Sequence, residues 1–78
     1  MRIDDLRIGL KRKYRLVHVP NRHKATAWAD AARRFQAEGS PPEEAGHRAA
    51  LQVFPYEYRL KRPEDTPRVE NLLGGSYE

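Results

Sequence analysis

The amino-acid sequence predicts an α+β domain: a two-helix hairpin packed on a small antiparallel sheet. Three observations carry that expectation. Trp28, Ala31, Ala32 and Phe35 recur at i, i+3, i+4 and i+7, the apolar stripe of an amphipathic helix. Ser40-Pro41-Pro42-Glu43 reads as the start of a second helix, an S-x-x-E capping box with proline at the first helical position. Beyond Pro55 the period shortens to two. Tyr56, Tyr58 and Leu60 alternate there with Glu57, Arg59 and Lys61, the pattern of a half-buried strand.

Taken in order, Leu6, Ile8 and Leu10 alternate with Arg7 and Gly9, a short strand signal weakened by the glycine. Lys13 to Val19 is a stronger one, rich in Tyr and Val and ended by Pro20. Asn21 is placed to cap a helix from about Arg22 to Glu38, with Gly39 in the left-handed position of a C-cap. The second helix is expected from Pro41 to about Phe54, burying Ala45, Ala49, Ala50, Val53 and Phe54. The short Gly39-Ser40 turn makes the two an αα-hairpin. From Pro63 the chain turns polar. Thr66-Pro67 can start one helical turn bearing Val69, Leu72 and Leu73, ended by Gly74-Gly75. The domain expectation is therefore a compact unit over 1–62 and a flexible acidic tail over 63–78.

Seventy-eight residues allow one domain. With no cysteine, disulfides, thiolate nucleophiles and Cys-based zinc sites are excluded. No apolar run reaches the roughly 20 residues that span a bilayer. Charge appears within the first five residues, unlike a signal peptide. A cytoplasmic protein without membrane insertion is expected. Lys and Arg number 15 against 11 Asp and Glu, a net of +4. Their distribution is uneven. Residues 1–24 carry a net +6 and residues 63–78 a net −3. A basic head of this kind suits an anionic partner, and a merely solvated surface is the plain alternative.

Within this frame, Glu43-Glu44, His47-Arg48, Ala50 and Glu57-Tyr58 resemble the second helix of the ChaB family of small bacterial proteins. Pro20, Trp28, Ala31 and Phe35 look similar to that family's first helix. The resemblance covers roughly residues 18–60. Pro55 departs from it, since it falls inside what would be the family's second helix. The resemblance implies two helices with a little sheet, and a role as a cation transport regulator or, as for viral relatives, in DNA binding. It implies no catalytic residues.

The catalytic constellations fail on residue type and spacing. His18 and His23 straddle Pro20 and His47 is distant in sequence, so no converging zinc set is expected. Ser40 and Ser76 offer no triad nucleophile, because Ser40 is better used as a cap and Ser76 lies in the tail. Glu43-Glu44 and Glu64-Asp65 are sequence neighbours whose side chains point apart, poor geometry for an acid/base pair. Gly74-Gly75 lacks the Lys-Ser/Thr of a phosphate loop. No enzyme, cofactor or small-molecule substrate is expected.

The basic and aromatic residues carry more. Lys11, Arg12, Lys13, Arg15, Arg59, Lys61 and Arg62 would share a surface if the strands around them pair, with Tyr14 available for stacking. Tyrosines at period two also serve as core, and Tyr14 and Tyr58 are open to that role. The expected function is a non-catalytic module that binds nucleic acid backbone. The alternative is a protein-interaction regulator, a ChaB-like cation transport regulator or a phage-type modulator of a larger enzyme, docking on an acidic protein surface.

Overall fold

The computed structural model describes residues 3–58 and 68–74. Four helices make up the ordered elements among them: α1 (Ile3–Tyr14), α2 (Arg22–Ala37), α3 (Pro42–Val53) and α4 (Val69–Gly74). The described residues contain no strand, so the α+β expectation gives way to an all-helical fold.

The first correction is at the N-terminus. Residues 6–10 are helical, and Lys13–Val19 is a helix end followed by a loop. Leu6, Leu10 and Tyr14 are fully buried at spacings of four, while Ile8, the centre of the apparent alternation, is half exposed. The helical period thus outcompetes the period of two, because it puts the larger residues on one face. Charges agree with it. Asp4 and Asp5 lie in the first turn and Lys11, Arg12 and Lys13 in the last, each complementing the helix dipole. At the C-terminus Arg15 adopts a left-handed φ of 51° and the Leu16 amide donates to the Lys11 carbonyl at 3.1 Å. This is a Schellman ending with arginine where glycine is usual, so no glycine marks the stop in the sequence.

Helix α2 follows expectation. The Asn21 side chain accepts from the Lys24 amide at 2.8 Å. Gly39, at φ 110°, ends the helix with Ser40 N donating to Phe35 O at 3.0 Å. Trp28, Ala31 and Ala32 are buried, and Phe35 is half-buried at the edge. Helix α3 starts differently from the capping box. Pro41 is its N-cap and makes no side-chain cap. Ser40 Oγ instead accepts from Arg48, and Glu43 turns away from the helix start. Helices α2 and α3 pack through alanines, with Ala29 and Ala32 buried on one and Ala45, Ala49 and Ala50 on the other. Trp28 Nε1 donates to the Gly46 carbonyl at 3.0 Å and ties them.

After Val53 the expected strand is a turn over residues 55–57, with Tyr58 N donating to Phe54 O at 3.0 Å. Tyr56 is 85% exposed and Tyr58 only 3%, so they do not share a face. Leu60 and the rest of 59–67 lie outside the described residues. The helical turn expected around Val69, Leu72 and Leu73 is α4, and it places Val69 and Leu72 in the core, where a flexible tail is the expectation. The core therefore extends past residue 62.

Candidate anion-binding site

The chain from Leu6 to Ala29 contains no acidic residue. It carries Arg7, Lys11, Arg12, Lys13, Arg15, Arg22 and Lys24. The fold sorts these seven. Arg7 pairs with Asp4 at 2.9 Å, and its Nε donates to the Pro20 carbonyl at 2.7 Å. That bond holds the loop after α1 against the helix. Lys13 is fully buried with its Nζ 2.6 Å from Glu43 Oε1. The other five remain at the surface: Arg12, Arg15, Arg22 and Lys24 exposed, Lys11 half-buried.

Leu16 and Pro20 are buried, and the Arg7–Pro20 bond holds this α1–α2 corner with the loop before α2 beside the second turn of α1. An open groove of about 430 Å³ runs along this loop, lined by Val17, His18, Val19, Pro20, Asn21, Lys24 and the acidic Glu57. The first turn of α2 contains Arg22, His23 and Lys24 and no acid. A helix N-terminus already carries roughly half a positive charge, and cations there are disfavoured by about 0.3–1 kcal/mol each. Three basic side chains thus gather at a helix N-terminus, where Asn21 already takes the Lys24 amide and Glu57 lines the adjoining groove.

Of the residues the sequence nominated, Lys11, Arg12 and Arg15, none of which lines the groove, stay at the surface around the end of α1. Lys13 and Tyr14 do not, because both lie at 0% exposure in the core. Arg59, Lys61 and Arg62 lie outside the described residues, and the strand pairing meant to join them to Lys11–Arg15 is absent among those described. Arg22, His23 and Lys24 were not nominated. Their signal was legible as a helix start, capped by Asn21, with basic residues where acids are favoured.

Behind the corner sits a buried polar cluster. Glu43 accepts from Lys13 through one oxygen and from the Val69 amide, at 2.7 Å, through the other. The Tyr58 hydroxyl meets His47 Nδ1. Tyr14 stands edge-on to Tyr58, their ring centroids 4.9 Å apart. The Tyr14 hydroxyl is buried without a hydrogen-bond partner, since the nearby indole N–H is committed to Gly46. Burial, then the Tyr58 and Glu43 charges, push its phenol far above the usual range. Burial pushes the Tyr58 phenol up to about 12. Among the described residues no three His, Cys, Asp or Glu side chains are grouped to hold a metal. No described helix is long and apolar enough to cross a membrane.

Comparison with protein-family models, curated proteins and solved structures finds no match. The resemblance to the ChaB family therefore rests on the residues between 18 and 60 alone.

Proposed function

We propose that the chain is a non-catalytic module that binds the phosphate backbone of nucleic acid at the α1–α2 corner. One observation carries this reading: the first turn of α2 holds Arg22, His23 and Lys24 with no acid. Local electrostatics that oppose helix stability are expected where a site, and not the fold, sets the residue type. Phosphates spaced along a strand suit dispersed cations.

The test is a titration with short single- and double-stranded oligonucleotides at several salt concentrations. Affinity should fall with salt at a slope near −0.9 per phosphate neutralised on duplex. Arg22→Gln and Lys24→Gln should each weaken binding on all sequences and lower that slope by about 1. Lack of binding at micromolar protein in low salt, or a slope the two variants leave unchanged, rejects the reading. Docking on an acidic protein is the second reading. It draws on Val17 and Val19, whose exposed side chains line the groove. An interface with that apolar part should weaken less with salt.

A further inference from the structure

Helices α2 and α3 share a second face, in the last turn of α2. Arg22 and Arg34 are twelve residues apart on that helix, about 18 Å along its axis. There the half-buried Phe35 ring gathers two guanidinium groups. Arg48 lies 4.4 Å from the ring centroid and Arg34 5.7 Å, so the two charges are at most about 10 Å apart. Both arginines are exposed.

Acids stand where they could neutralise these charges. Asp30 and Glu38 flank Arg34 at four residues on either side, and Glu44 precedes Arg48 by four, the spacing of helical ion pairs. None of those pairs forms. Arg34 donates to Gln52 Oε1 at 3.5 Å and Arg48 to Ser40 Oγ at 3.0 Å, both uncharged acceptors. Attraction to the ring face holds the guanidinium of Arg48 in place and leaves N–H edges for an oxyanion. The Ser40 hydroxyl accepts from Arg48 and keeps its own proton to donate.

We propose that Arg34, Arg48 and Ser40, on the Phe35 platform, bind a phosphoryl dianion. Two fork-shaped donors match its several oxygens and its double charge. This site is separate from the α2 N-terminus and does not depend on the nucleic-acid reading.

The full chain is titrated with inorganic phosphate at neutral pH, following arginine Nε–Hε and backbone amide NMR signals, against sodium chloride at matched ionic strength. Saturable shifts are expected at Arg34, Arg48 and Ser40. Arg34→Gln and Arg48→Gln should each weaken phosphate binding about fivefold or more, and Arg48→Lys, which keeps the charge but loses the fork, should weaken it too. Arg68→Gln, at an exposed arginine of neither site, should leave it unchanged. Amide spectra of the variants away from the site should match the parent. A dinucleotide, whose phosphodiester carries one charge, serves as the second arm and should bind more weakly. Shifts that chloride reproduces, or that survive both glutamine variants, overturn the proposal. Equal affinity for the dinucleotide at Arg34 and Arg48 overturns the dianion assignment.

Discussion

Tyr14 is wholly buried, yet its hydroxyl has no hydrogen-bond partner. A buried unpaired hydroxyl costs about 1–3 kcal/mol. Tyr14→Phe removes the group and keeps the ring against Trp28 and Tyr58. It should therefore raise stability by about 1 kcal/mol in urea unfolding. A less stable Phe variant would mean that the hydroxyl is satisfied, for instance by a water. The same hydroxyl limits Gly46. A Cβ there would sit 2.6 Å from the Tyr14 hydroxyl oxygen and 2.4 Å from Val69 Cγ2. Gly46→Ala should cost about 1–3 kcal/mol from overpacking, outweighing the roughly 1 kcal/mol that alanine gains as a helix former. In the Tyr14→Phe background the cost should shrink by about 0.5–1 kcal/mol, because one of two clashes is gone. Strict additivity would place the obstruction wholly at Val69.

Glu43 connects three helices. It lies on α3, neutralises the buried Lys13 of α1 and accepts from the first amide of α4. Removing one partner of a buried pair strands the other charge, at about 3–5 kcal/mol. Glu43→Ala should fall near the lower end, since the Glu43 side chain is 34% exposed and water can enter. The double variant Lys13→Met, Glu43→Gln should recover most of that loss. Glutamine can still accept from Val69, and no charge is left buried. If the double variant is as unstable as Glu43→Ala, the cap on α4 matters more than the stranded lysine. The capping-box spacing of Ser40 and Glu43 suggested a purely local role for this glutamate. A long-range partner took it instead, and that competition is invisible in one sequence. The α2 stripe, its Asn21 cap and the Gly39 stop were legible because each is a local signal. The start and end of α3 were legible to within a residue from Pro41 and Pro55, whose constraints are also local. Helix α1 was misread because Leu6, Ile8 and Leu10 satisfy an alternating pattern over five residues. Extending the window to Tyr14 would have shown the period of four. Lys13 and Tyr14 were misplaced in the basic site for the same reason: a helix buries both, whereas the assumed strand would have exposed alternate residues.

At the scale of the whole molecule, two phenols in one small core make stability depend on alkaline pH. Both Tyr14 and Tyr58 have folded-state values above the unfolded value of about 10, Tyr58 at about 12 and Tyr14 higher still, chiefly through burial. The neutral phenol is the form the core accepts. Its contribution is complete below pH ~10 and is lost as pH rises through the folded-state value, because the unfolded chain releases the protons first. Each phenol should lower unfolding free energy by about 1.4 kcal/mol per pH unit above 10, so the two together remove nearly 3 kcal/mol per unit up to about 12. A chain of this length holds roughly 4–12 kcal/mol, so the fold should fail within a few pH units above 10. Urea midpoints should stay level through pH 9 and then fall, and in the double variant Tyr56→Phe, Tyr77→Phe, which leaves only the two core phenols, tyrosinate absorbance should rise together with loss of helical circular dichroism. Tyr14→Phe should remove about half of the steep limb while raising the plateau below it. A limb unchanged by that substitution would show that other groups drive the alkaline transition. In the Tyr56→Phe, Tyr77→Phe variant, a tyrosinate signal that appears before the helices melt would show that Tyr14 and Tyr58 reach solvent in the folded molecule.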